Sequence, residues 1–348
     1  MVVVNWSGLC AAFLCLVPPA AMAESVSVAC LERISEKPIS IIVPNDAGGG
    51  YDTYARAFAE GLEAIVGGSI RVANMPAAGG RLALTEVVSH GPDETLLLVD
   101  NLSDVVAATD SDDSLEFGSA AFAALGTIVT EPSVWLGNRD VDLADPSLTA
   151  LVVSANSVRS SLIDAGLVGR ALGLDMRVVS GYDGSSETAA AVMRGEADIA
   201  TMTITTALRR SQGTDLAPLL VLEDEASGQA PAAWTLGGGD GLVARRAAAL
   251  SERERAERLT MADRARALTG TYRGVLTASD QDAEMLACLR EVTDAVLEAP
   301  TLAEAANAEG RPVDPTRSSG TMENYEAIRA SQAEVAAMLD ELATEISQ

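Results

Sequence analysis

The chain has 348 residues, 48% of them hydrophobic and 21% charged, a globular composition too long for one ordinary core, so two domains are expected. Acidic residues outnumber basic ones by 50 to 24, and the resulting net charge of −26 makes a surface that repels nucleic acid and anionic lipid. One histidine, His90, and one lysine, Lys37, exclude His-based triads and His-rich metal sites and leave almost nothing for a Ser-Lys pair; neither a Gly-x-Ser-x-Gly elbow nor a Gly-x-x-x-x-Gly-Lys-Ser/Thr loop is present. No cofactor, no metal and no enzymatic activity are expected.

Residues 1–23 carry no charge and hold the apolar run LCAAFLCLV, then Pro18, Pro19 and the small-x-small site Ala21-Met22-Ala23. This reads as a cleaved secretory signal with a periplasmic product beginning at Glu24, against the alternative of an amino-terminal anchor, for which the run is short of about 20 residues. Cleavage removes Cys10 and Cys15 and leaves Cys30 and Cys288, which form either a disulfide or two free buried thiols.

Ile39, Ile41, Ile42 and Val43 suit a buried strand that stops at Pro44. Gly48, Gly49 and Gly50 follow, and from Asp52 onward Tyr54, Phe58, Leu62 and Ile65 recur at helical spacing. A glycine-rich turn into a helix amino terminus offers unpaired N–H groups and close backbone approach, the make-up of an anion site; a tight turn without ligand is the plainer reading. Further strands are expected at 69–73, 95–99, 148–153, 176–180, 197–202 and 216–222. Amphipathic helices are expected at 53–66, 160–172 and 186–194, one or two surface helices over 243–268, and helices at 281–298 and 321–346. This alternation predicts an α/β fold with largely parallel sheets. Asp110, Asp112 and Asp113 lack the glycine and distal glutamate of a calcium loop and read as a solvated turn, and His90 reads as a loop residue.

Three stretches together resemble the periplasmic receptors of tripartite tricarboxylate transporters (TctC/Bug-like). PISIIVPNDAGGGYDTYARAFAEGL is similar to their first strand, Pro-x-x-x-Gly-Gly-x-x-Asp loop and helix; ANMPAAGG to their Asn-x-Pro-Gly-Ala-Gly-Gly segment; GYDGSSETAAAVMRGEADIATM to their Tyr-Lys-Gly-Ser stretch, helix and Gly-x-x-Asp strand. PDETLLL and RGVLTASD agree more loosely, and 223–268 fits poorly. The resemblance implies a two-lobe, type II Venus-flytrap architecture with domain 1 at 24–136 plus 271–348 and domain 2 at 137–270. It implies a small organic acid as ligand, integral-membrane permease subunits as partners and a monomeric receptor.

The site residues it implies are Asn45, Asp46, Gly48, Gly49, Gly50, Tyr51 and Asp52 in the first loop, Ala78 and Gly79 in the second, Ser103, and Tyr182, Gly184, Ser185, Ser186 and Asp198 in the other lobe. Ser160 and Ser161 are weaker candidates. Asn45, Asp46, Ala47, Tyr51 and Asp183 depart from the family pattern. Asp46 either points to solvent or faces the cleft, where it would repel an anion at 4 Å by about 4 kcal/mol at an effective dielectric near 20 and favour an amine-bearing or neutral ligand. Asp52 reads as a helix cap or first-turn acid before a ligand contact. The rivals are a periplasmic hydrolase using paired carboxylates and a receptor that signals to a membrane sensor.

Overall fold

A computed structural model describes residues 26–90, 93–110, 114–155, 162–182, 184–225, 228–230 and 233–346. The signal segment 1–23, Asp112, Asp113, Ser160, Ser161 and Asp183 lie outside the described residues. In chain order the strands are β1 (Ile39–Val43), β2 (Arg71–Asn74), β3 (Thr95–Asn101), β4 (Phe122–Glu131), β5 (Ser133–Asn138), β6 (Ala150–Ala155), β7 (Asp175–Ser180), β8 (Ile199–Thr203), β9 (Leu216–Val221), β10 (Trp234–Thr235) and β11 (Thr271–Ala278). They form a sheet of order β2-β1-β3-β11-β4 and a second of order β10-β9-β5-β8-β6-β7.

β1 pairs in parallel with β2 and β3 because a helix returns the chain each time: Gly50–Val66 before β2, and Arg81–Ser89 before β3. β11 runs antiparallel between β3 and β4. Ile41 and Ile42, adjacent on β1, point to opposite faces, and both are buried. Ile41 meets Phe58 and Leu62 together with Val292 and Val296 of helix Ala283–Glu298, whereas Ile42 meets Leu84, Val87 and Val105. Both faces are covered, so the strand reads as a continuous apolar run. The second sheet is packed the same way, with Trp135 on one face and Val134 and Leu136 on the other.

The chain leaves the first sheet between Glu131 and Ser133, at Pro132, and returns at Gly270, between helix Glu252–Thr269 and β11. These two crossings join the lobes and stand where a two-lobe fold of this kind hinges. The long helix Ser318–Ile346, about 43 Å at 1.5 Å per residue, adds a strap: Tyr325 is buried against the first lobe and donates to the Ser119 carbonyl at 3.0 Å, while Met338 and Leu339 pack on the core of the second. A disulfide joins Cys30, in helix Val28–Ile34, to Cys288 in Ala283–Glu298. Among the described residues no helix is long and apolar enough to cross a membrane.

Strands β4 and β5 were not among the expected strands, yet they carry the hinge. The segment expected to be helical from 160 is a π-helix at Ile163–Gly169 running into Arg170–Leu172.

Candidate ligand site

The three glycines have different tasks. Gly48 lies at φ +78°, where a side chain is strained, and donates its N–H to Asp52 Oδ2 at 2.8 Å. Gly49 is the N-cap at φ −74° and its N–H reaches the Asp46 carbonyl at 3.4 Å. Gly50 opens the helix, and a Cβ there would stand 2.8 Å from Arg273 Nη2 and 3.0 Å from its Cζ and Nη1. The expected cradle of three glycine amides is thus corrected: Asp52 already occupies the first. The donors left at this end are the N–H groups of Gly50, Tyr51 and Asp52, which precede the first intrahelical bond, Thr53 N–H to the Gly49 carbonyl at 3.1 Å.

Asp52 is a first-turn acid, as expected, and is buried. Burial raises its pKa, but hydrogen bonds from Arg56, Gly48 and Asn74 outweigh this and hold it below the usual carboxylate range. It organises the loop from behind. Asp46 is exposed at the loop's crest. The second loop stacks on the first: Asn74 Nδ2 donates to the Asn45 carbonyl at 2.9 Å, and a Cβ on Gly80 would meet Pro44 Cβ at 2.8 Å. Ala78 takes a left-handed φ of 56° and Gly79 one of 66°, and both are exposed.

At the end of β3, Asp100 is buried, hydrogen-bonded by the Asn45 side chain, and pushed up to about 8 by burial and then by the neighbouring Asp104. Ser103, half-buried, follows in helix Leu102–Asp110, its N–H reaching Asn101 Oδ1 at 3.4 Å.

Beneath the glycine loop lies a cluster that sequence reading missed. Arg273 of β11 is 2% exposed, pairs through Nε with Glu131 Oε2 at 2.7 Å, and sits over the rings of Tyr51 (4.3 Å) and Tyr54 (5.1 Å). Burial opposes its charge, but Glu131 and the hydrogen bond it accepts more than restore it, so the pKa is raised. Its Nη2 donates to Thr203 Oγ1, at the end of β8 in the other lobe, at 3.2 Å. Arg311, also buried, lies 5.7 Å from the Tyr54 ring and donates to Thr206 Oγ1 at 3.4 Å. A charged residue inside the apolar strand TYRGVLTA was the available signal, since an arginine in a covered strand is seldom buried without a task.

In the second lobe Gly184 is the N-cap of helix Ser185–Met193, and neither Ser185 nor Ser186 caps it. Ser186 Oγ is taken by Arg210 of helix Ile204–Ser211. Tyr182 reaches Glu196 Oε2 at 3.4 Å. Asp198 does not join the site: it stands at the start of β8, about 15 Å of strand from Thr203, and accepts the Val152 N–H at 2.7 Å as a structural tie between strands.

On the other face of the hinge a cavity of about 770 Å³ is lined by Thr130, Tyr272 and Arg266 together with Glu131, Glu223, Asp224, Glu225 and Asp263. Of the five carboxylates Glu131 is paired with Arg273, and Asp224 and Asp263 share Arg266, so the lining keeps a negative excess that disfavours an anion, and no residue of the glycine loop reaches it. Asp110 accepts from Ser119 N–H (2.6 Å) and Oγ (2.7 Å), and His90 faces Glu86 and Glu94; neither belongs to the cleft.

Across solved structures, the chain superposes on a TctC solute-binding protein from Polaromonas with a TM-score of 0.58 at 19% identity, covering 89% of this chain and 98% of that one. It superposes on the periplasmic binding protein BugD with a TM-score of 0.65 at 16% identity, covering 88% and 98%. The fold is that of the TctC and Bug periplasmic solute-binding proteins. MatC of Rhodopseudomonas palustris, a structure with bound malate, matches with a TM-score of 0.65 at 19% identity over 87% of this chain and 99% of that one. Among curated sequences, a UPF0065 protein of Agrobacterium vitis is 28% identical over 173 residues, 47% of this chain and 50% of the relative. One from Bordetella pertussis is 24% identical over 215 residues, 59% and 66%. The chain thus aligns with about half to two-thirds of the length of the curated relatives it matches. No family model matches.

Proposed function

We propose that this chain is an extracytoplasmic solute receptor. It captures a small carboxylate-bearing organic acid between its lobes and delivers it to permease subunits of a tripartite tricarboxylate-type transporter. The observation that carries the reading is the opening of helix Gly50–Val66 at the inter-lobe cleft, with first-turn N–H groups of Gly50, Tyr51 and Asp52 in a protein whose surface is otherwise strongly negative. Preformed dipoles and a two-crossing hinge suffice for capture; no nucleophile or base is required. Malate bound to a protein of the same fold supports a small acid of this size.

Among the described residues the hydrolase reading can call on the neighbouring carboxylates Asp100 and Asp104. Asp100 is 8% exposed and hydrogen-bonded by Asn45, so we assign it to the loop's support. Isothermal titration with a panel of C4 to C6 organic acids tests the proposal. Saturable one-site binding without chemical change of the acid is expected, and turnover, or binding to none of them, contradicts it.

A further inference from the structure

The arginine cluster beneath the glycine loop holds more positive charge than its surroundings neutralise. Arg273 and Arg311 are 2% and 3% exposed, and the one carboxylate paired with either among the described residues is Glu131, on Arg273. Burial, and after it the charges of Arg273 and Arg209, pull Arg311 down to about 10. Arg273 Nη1, Arg311 Nε and Thr205 Oγ1 are buried without a hydrogen-bond partner, and so is Glu131 Oε1 on the carboxylate that pairs with Arg273. An unmade hydrogen bond on a buried group is costly; two cationic side chains face the single carboxylate Glu131, and their free N–H groups ask for a further acceptor, with the Thr205 hydroxyl on the same helix turn as their partners Thr203 and Thr206.

Both arginines donate to the first turn of helix Ile204–Ser211, to its N-cap Thr203 and to Thr206. That helix end is itself positive, so cations converging on it without an anion are in an unfavourable place. The stacking of Arg273 on Tyr51 and its contact with the Gly50 backbone bring it to the same helix opening that offers N–H groups to the ligand.

We propose that Arg273, Arg311 and the hydroxyls of Thr203, Thr205 and Thr206 form an inter-lobe anion subsite that holds a carboxylate of the ligand at the floor of the cleft. The inference rests on the receptor reading above and narrows it: the ligand is a diacid, with one carboxylate at the start of helix Gly50–Val66 and the other on the arginines. The two groups then draw the lobes together, because the subsite takes its cations from the first lobe and its hydroxyls from the second.

The test pairs diacids with their monoamides. Wild-type protein is titrated with succinate, malate and adipate and with the monoamide of each, beside Arg311→Gln and Thr205→Val. Among the described residues Arg311 has no ion pair, so Arg311→Gln removes repulsion from Arg273 and is expected to fold, which a thermal melt checks; Thr205→Val removes an unpartnered hydroxyl. Wild type is expected to prefer a diacid over its monoamide by roughly 30-fold or more, the effect of leaving a buried charge unpaired. Arg311→Gln should erase that preference, and Thr205→Val should weaken diacid binding without lowering the melting temperature.

Equal affinity of wild type for diacid and monoamide, or an undiminished preference in Arg311→Gln, overturns the subsite while leaving the receptor standing. If no acid binds at all, the receptor reading fails, and crystals soaked in bromide decide the subsite alone. An anomalous peak among Arg273, Arg311 and Thr205 supports it, and its absence there overturns it.

Discussion

Gly50→Ala is the substitution for which sequence and structure give opposite signs. As the first residue of helix Gly50–Val66, a glycine replaced by alanine should gain up to about 1 kcal/mol from helix propensity. The structure puts the new methyl 2.8 Å from Arg273 Nη2 and 3.0 Å from Cζ and Nη1. A flexible arginine would swing aside, but this one is held by Glu131 at 2.7 Å, by Thr203 at 3.2 Å and by the ring of Tyr51. Overpacking of this kind costs about 1 to 3 kcal/mol, so a net loss near 1 to 2 kcal/mol and a Tm lower by about 2 to 6 °C are expected. Thermal and urea unfolding measure it. Gly49→Ala is the control, since φ is −74° there and the methyl meets only the Asp46 carbonyl at 3.2 Å; it should change stability by less than about 0.5 kcal/mol. Arg273→Lys, which keeps the charge but removes the fork, should relieve the clash, giving a coupling of about 1 kcal/mol in a double-mutant cycle. A Gly50→Ala protein as stable as Gly49→Ala, or additive with Arg273→Lys, refutes the close packing of Arg273 under the loop.

Removing the disulfide by Cys30→Ser with Cys288→Ser opens a loop of sequence separation 258 and should lower stability by up to about 5 kcal/mol in the chain-entropy model; a denaturation midpoint indifferent to reductant contradicts that. Asp164 is pushed up to about 6 by burial, with hydrogen bonds from Trp135 and Thr201 opposing, so its folded pKa lies above the unfolded value near 3.8. Its contribution is therefore full below about pH 4 and is lost as pH rises through 6, on the order of 3 kcal/mol. Asp164→Asn should flatten that part of the urea midpoint against pH, and an unchanged profile shows the group does not titrate there. Asp198→Ala should cost about 1 kcal/mol by orphaning the half-buried Val152 N–H yet leave acid affinity within twofold; a large affinity loss returns Asp198 to the site.

The α/β alternation was legible because each parallel strand is a short apolar run between helical repeats, and most strand boundaries fell within two residues. The hinge was not. FAALGTIVTEPSVWLGN is apolar on both faces and interrupted by Gly126 and Pro132, so it shows neither alternation nor helical period. Its two glycines are packing residues: a Cβ on Gly126 would meet Leu297 Cδ1 at 2.7 Å, and one on Gly137 would meet Leu219 Cδ1 at 2.6 Å.

The glycine loop was legible as a helix opening, but its division of labour was not. Composition cannot tell Gly48, which needs a left-handed φ, from Gly50, which makes room for a side chain more than 200 positions away. The same distance in sequence hid the arginine cluster, because Glu131, Thr203, Arg273 and Arg311 meet only after both lobes have folded. Asp198 was misplaced for the converse reason: a motif gives position along the chain, not which end of a strand faces the cleft.

The central claim is that a carboxylate is held where helix Gly50–Val66 opens between the lobes. A crystal structure with the tightest-binding acid of the panel tests it most directly. A carboxylate oxygen is expected within about 3 Å of a first-turn N–H from Gly50 to Asp52. An acid bound instead in the acidic hinge cavity beside Tyr272 and Arg266, or outside the cleft altogether, would contradict it.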